Sequence, residues 1–222
     1  MTTAKVAAMN TTDPELQRAI EALAVPGIAV AHRLISEGDE SALWPDERPA
    51  FAGSVTKVQR ASGAARIVAR QLLSQFGHPP QPIPKADRGM PVWPDGIVGS
   101  IAHDARVAVT AMAARQDFLS VGIDIEPAGP ITADALEIIV TRAERGQVHA
   151  DPTGGRLFFC IKEAVYKAAY PLDRRFLDHH DVEVNLDART AQIQGGRQIP
   201  FRYHVAAHIL ALAYVPADGP ER

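Results

Sequence analysis

A single cysteine, Cys160, stands in 222 residues. One thiol excludes an intrachain disulfide framework and a cysteine-built zinc site, and it suits a reducing compartment. Charge of one sign is also scarce: 23 Lys and Arg against 26 Asp and Glu leave a formal net charge of −3. A dedicated nucleic-acid binder would carry a strong basic excess, so anion recognition here must come from local clusters. No apolar run approaches the roughly 20 residues that span a bilayer. The opening "MTTAKVAAMNTTDPELQRAI" has a lone lysine and no apolar segment of signal-peptide length. These absences predict a cytoplasmic chain with neither a membrane nor a nucleic acid as partner.

What is present is largely apolar: the 46% hydrophobic content is enough to bury a core as one domain or two small ones. After a small, polar lead-in, "TDPELQRAIEALA" predicts a short helix, with Thr12 or Asp13 as cap and Pro14 in the first turn. "GIAVAHRLI" reads as a strand. "SVTKVQRASGAARIVARQLLSQFG" reads as a long helix from a Ser54 cap to Gly77. Its apolar face is Val58, Ala61, Ala65, Val68, Leu72 and Phe76, with Lys57, Arg60, Arg66 and Arg70 elsewhere on it. A proline-rich surface loop anchored by Ile83, Met90 and Trp93 follows. Strands at "IVGSIAH", "RVAVTAMAA" and "FLSVGIDIEP" come next, then a helix from Thr132 to about Arg145 and another through "FCIKEAVYKAAYP". A β-meander closes the chain. Each half runs through helices into an antiparallel ribbon, with a boundary near residues 114–120.

Three stretches carry the chemistry. In "VGIDIEP", Asp124 and Glu126 share one face of a strand while Ile123 and Ile125 share the other. Adjacent carboxylates need solvent or a cation, and magnesium takes one or two such oxygens plus substrate phosphates. On the last helix Glu163 and Lys167 are one turn apart, with Lys162 beside them. Taken alone, these are equally an acidic strand face and a surface ion pair. His103 ends a strand among small residues that let a ligand approach. Cys160 lies in an apolar run with no base beside it, which argues against a nucleophile.

The order basic helix, "RGMPVWPDGIVGSIAHD", "VGIDIEP", "FCIKEAVYKAAYP" resembles the 4′-phosphopantetheinyl transferases of the larger surfactin- and enterobactin-synthase type. The resemblance covers roughly residues 43–171, including "LWPDE". It implies an α+β fold of two pseudo-symmetric α/β halves, each an antiparallel sheet packed by helices, with the active site in the cleft between them. Residues 1–115 would form one half and 116–222 the other, in a monomer. By the same resemblance, Asp124, Glu126 and Glu163 bind magnesium, or manganese in its place, with the coenzyme A diphosphate. His103 would meet the ribose 3′-phosphate, helped by Arg60 or Arg66 and by Arg88. Ala102, where the family often has serine or threonine, would border that contact without a hydroxyl. Lys162 and Lys167 would lie near the diphosphate.

The implied reaction moves the phosphopantetheine arm of coenzyme A to a serine of an apo acyl or peptidyl carrier, releasing adenosine 3′,5′-bisphosphate. Such carriers serve fatty acid, polyketide or nonribosomal peptide synthesis. Asp124, Glu126, Glu163 and Lys167 would carry catalysis, with Glu163 the candidate acceptor of the serine proton. The alternatives are a catalytically silent coenzyme A-binding or carrier-docking module, and another magnesium-dependent phosphotransferase or diphosphatase.

Overall fold

The computed structural model describes residues 12–148 and 152–217; the polar lead-in at 1–11 lies outside them. Asp13 caps helix α1 (Pro14–Ala22), its carboxylate accepting from the N–H groups of Glu15 and Leu16. Strands β1 (Ile28–Leu34), β2 (Ile97–His103) and β3 (Val107–Ala114) form an antiparallel sheet in the order β1-β3-β2. Helix α2 (Thr56–Gln75) covers one face, setting Val68, Leu72 and Leu73 against Ile97 and Met112. Its start departs from the sequence reading. Val55 holds the N-cap position without a side-chain bond, while the Ser54 carbonyl accepts from the Gln59 amide. Val58, expected on the buried face, is exposed.

The second sheet holds β4 (Phe118–Pro127), β5 (Val182–Asn185), β6 (Thr190–Ile193), β7 (Gln198–Val205) and β8 (His208–Pro216), in the order β4-β8-β7-β6-β5. Its pairings are antiparallel. The helix expected from Thr132 to about Arg145 is shorter. Helix α3 (Ala133–Ile139) stops, and a separate turn follows at Glu144–Gly146. The break has a local cause: the buried Glu144 carboxylate reaches back to accept the Thr141 N–H at 2.7 Å. Helix α4 (Gly154–Asp173) lies across the second sheet and buries Phe158, Ile161, Val165 and Ala169.

The fold is α+β, and its two sheets share a core. Val98, Ala102 and Val109 of the first sheet join Val121, Ile123, Leu210 and Leu212 of the second, with Leu16 and Ile20 of α1 at the edge. Among the described residues, no helix is long and apolar enough to cross a membrane.

One contact sets where α4 lies. A Cβ on Gly122 of β4 would stand 2.0 Å from the Ala164 carbonyl oxygen and 2.6 Å from the Ala168 nitrogen. Helix backbone therefore rests directly on strand backbone, which only glycine permits. Gly122→Ala must push the helix away and should cost about 1–3 kcal/mol of stability, as overpacking does. Gly146→Ala, which meets open space, should change little. Urea unfolding of the two variants checks this, and equal midpoints would refute the close-contact account.

Candidate active site

The two-residue period of β4 turns Ile123 and Ile125 into the shared core and leaves Gly122, Asp124 and Glu126 on the face that α4 covers. The close approach at Gly122 then delivers Lys167 to the acid strand. Its Nζ donates to Asp124 Oδ1 at 2.6 Å and to the Ile123 carbonyl at 3.2 Å. Desolvation alone would lower the Lys167 pKa, but the Asp124 carboxylate outweighs it and holds the ammonium above its usual range. Glu126 receives Arg156, whose Nη1 lies 3.0 Å from Oε2. Glu163 stands on α4 one turn before Lys167.

The acids are under-compensated. Asp124 Oδ2 is buried without a hydrogen-bond partner. Burial pushes the Glu126 carboxyl up and the Asp124 charge adds to it, against Arg156. Burial likewise raises Glu163, opposed by Lys167 and reinforced by Asp124 and Glu126. His103, at the end of β2, feels both Lys167 and Asp124, although desolvation is what chiefly lowers its pKa. Next to it, Asp104 joins the halves by accepting from His208 Nε2 at 3.1 Å.

A cleft of about 710 Å³, its open mouth included, runs between β2 and α4 and is lined by Arg88, Ser100, Ile101, Glu163, Tyr166, Lys167 and Tyr170. Of the residues singled out from sequence, Arg88, Glu163 and Lys167 share this cleft, and Asp124 reaches it through Lys167. Arg88, at φ 56°, stacks over Phe176 with 5.7 Å to the ring centroid. Arg60 is half-buried and holds Glu40 at 2.9 Å, which depresses that carboxyl to about 2.

Three expectations need correction. Lys162 does not face the cleft: it is 2% exposed, and its Nζ donates to Glu144 Oε2 and to the carbonyls of Ile139 and His179, each at 2.8 Å. Its neighbour in sequence points the other way because adjacent helical residues sit about 100° apart. Arg66 is not on a solvated face. It is buried beside Phe51, with Nε on the Ile83 carbonyl and Nη1 on the Ser62 carbonyl. Ala102 packs its side chain into the shared core, since strand alternation groups it with Val98 rather than His103. Cys160 is fully buried and its thiol is pushed well up, chiefly by desolvation, as expected of a packing residue.

The sequence reading passed over Arg156, Tyr166 and His179. Arg156 had a signal: it precedes Glu163 by two helical turns, on the same stripe as Lys167. His179 had none, because a turn and not a helix period brings it to Glu163.

The cleft brings one acid, Glu163, together with Lys167 and Arg88, a set of the class that can receive an anionic ligand. Comparison with known proteins agrees with that class. Residues 46–113 match the model of the 4′-phosphopantetheinyl transferase N-terminal domain, and residues 120–215 match the 4′-phosphopantetheinyl transferase superfamily. The chain is 33% identical to the 4′-phosphopantetheinyl transferase Npt of Nocardia iowensis, covering 80% of this chain and 81% of that protein. It is 39% identical to the 4′-phosphopantetheinyl transferase PptT of Mycobacterium tuberculosis over 64% of this chain, and spans 65% of that relative's length. It is 32% identical to enterobactin synthase component D of Salmonella typhimurium over 55% of this chain and 52% of that one. The chain belongs to the 4′-phosphopantetheinyl transferase family.

Two predictions follow from the charges. A carboxyl whose pKa is higher folded than unfolded binds its proton more tightly when folded, so stability falls as pH rises through that window. Glu163→Gln should therefore raise Tm at pH 7 without divalent cations, and the gain should vanish below about pH 4, where the acid is protonated in both states. An equal or lower Tm at pH 7 would contradict the raised pKa. Lys162→Met leaves Glu144, 0% exposed, without its cation. It should cost about 3–5 kcal/mol in urea unfolding, the usual penalty for breaking a buried pair.

Proposed function

We propose that the chain transfers the 4′-phosphopantetheine arm of coenzyme A to a serine of an apo acyl or peptidyl carrier protein, with release of adenosine 3′,5′-bisphosphate. The observation that supports this most is the Asp124–Lys167 pair at 2.6 Å, beside a cleft that Glu163 and Arg88 line, in a chain of this family. Phosphoryl transfer is mainly positioning plus neutralisation of spreading negative charge. Lys167, kept charged by Asp124, and Arg88 supply fixed positive charge for the diphosphate. His103 and Arg60 serve the 3′-phosphate; Arg66, with its donors spent inside the fold, does not.

The three carboxylates fit a hard divalent cation: they offer oxygen donors, Asp124 Oδ2 has no partner, and raised carboxyls mark uncompensated charge. Among the described residues no three such donors stand together as a ligating group, and Lys167 and Arg156 each hold one acid. Asp124, Glu126 and Glu163 would hold magnesium, or manganese in its place. When bound, the ion supplies neutralisation of charge on the transferring phosphoryl group. Glu163 takes the proton of the attacking serine hydroxyl. Burial raises its pKa above that of an exposed glutamate and so makes it a better base. The enzyme acts as a monomer in the cytoplasm, in keeping with its single, buried thiol.

Intact-mass spectrometry tests the reading. With coenzyme A and magnesium, an apo carrier should gain about 340 Da, the phosphopantetheine arm delivered by phosphoryl transfer. Lys167→Met should lower kcat by about 10²–10³-fold, the typical loss for one charge-stabilising group. Coenzyme A consumed without a modified carrier would point instead to a diphosphatase. No mass gain across a panel of carriers, with coenzyme A still bound, would point to a silent binding module.

A further inference from the structure

Among the described residues four buried side-chain polar atoms lack hydrogen-bond partners, and two of them belong to groups that bear on Glu163. One is Asp124 Oδ2, which the proposed cation would take. The other is Nε2 of His179. This imidazole is held unusually firmly for a loop residue. The backbone N–H of His179 donates to Asp178 Oδ1 at 2.6 Å, and its backbone carbonyl accepts from the buried Lys162 at 2.8 Å. Its ring stacks on Phe159, with centroids 5.5 Å apart and planes 22° apart. Nδ1 lies 4.0 Å from Asp178 Oδ1, too far for a hydrogen bond, and Nε2 lies 3.8 Å from Glu163 Oε1. Of these two carboxylates Glu163 is the nearer to the ring, and the tautomer protonated on Nε2 is the one that suits it. Ordinary N–H···O geometry is about 1 Å shorter, a gap that rotation of the Glu163 side chain closes.

We propose that His179 is a positioning residue for Glu163: its Nε2–H holds one carboxylate oxygen and thereby turns the other toward Asp124 and Glu126. A buried donor lacking an acceptor is costly, and so is a carboxylate left free to rotate in a reacting site. One contact removes both costs. The Phe159 stack supplies the rigid backing, and the Lys162–Glu144 pair fixes the turn that carries the ring. Lys162, which the sequence placed at the phosphate, would thus reach the site only through His179.

The inference rests on the transfer reading for its kinetic test but not for its spectroscopic one. His179→Phe keeps an aromatic on Phe159 and removes the donor. It should lower kcat for carrier modification by about 10–100-fold, the range for losing a hydrogen bond to a charged group, and leave KM for coenzyme A within about twofold. His179→Gln restores an N–H at similar reach and should recover most of kcat. Unchanged kcat in His179→Phe, or an equal fall in both variants, would overturn the proposal. Independently of activity, nitrogen NMR of the His179 ring should show Nε2 protonated in the wild-type protein and shifted in Glu163→Ala. An unshifted ring would also overturn it. If the wild-type protein modifies no carrier, the functional reading fails, and the ring resonance still decides the His179–Glu163 contact.

Discussion

Helix α4 touches strand β4 backbone to backbone because Gly122 has no side chain, and the chemistry depends on that contact. With the helix seated there, strand alternation places Asp124 two residues along the same face, and the helix supplies Lys167 at 2.6 Å. Helical spacing then fixes the rest of the stripe, Glu163 one turn back and Arg156 two turns further. A pair this short has no slack. A helix lifted off the sheet by even a methyl group would separate Lys167 from Asp124 and leave a buried acid unpaired. The packing glycine and the placement of Lys167 are thus one design, although nothing in their chemistry relates them.

Both halves hold their loops by the same device, a fully buried glutamate that collects backbone donors from separate segments and one or two helix cations. Glu47 accepts from the N–H groups of Trp44 and Ile83 and from Arg70, with Arg66 at 3.6 Å. It ties "LWPDE" and the proline-rich loop to α2. Glu144 accepts from the N–H groups of Thr141 and Val184 and from Lys162, and so ties α3, β5 and α4 together. A buried pair adds little net stability against an apolar alternative, but each partner is costly to remove singly. What these pairs secure is placement. Arg88 sits on the loop that Glu47 anchors, and His179 sits on the turn that Lys162 grips.

The division between readable and unreadable residues follows from range. Periodicity is local, so α2, the β2–β3 hairpin, the acid strand and α4 were legible, as was the face shared by Asp124 and Glu126. Which charges face inward is decided by partners far along the chain. Arg66, Arg70 and Lys162 look like solvated or phosphate-binding cations in sequence, because their acceptors lie at Glu47, Ile83, Glu144 and His179. Ala102 misled for a simpler reason: its neighbour His103 is the candidate phosphate contact, yet strand alternation sends the two side chains to opposite faces. The break after Ile139 was equally hidden, since it is made by a side chain folding back three residues from Glu144 to Thr141.

The charge balance of the cleft leaves one of its acids costly to the fold. Asp124 has Lys167 and Glu126 has Arg156, but Glu163 has no hydrogen bond of its own and a carboxyl raised by burial. Beside it stands the His179 ring, 3.8 Å away and itself without a hydrogen bond at Nε2. A group in that position gains most from whatever binds beside it, because the ligand meets a charge whose desolvation the fold has already borne. An arrangement chosen for stability alone would neutralise Glu163 or bury it deeper. Its half-exposed, unpaired state with a raised carboxyl is the property that the proposed transfer would use, whether for a cation or for a proton.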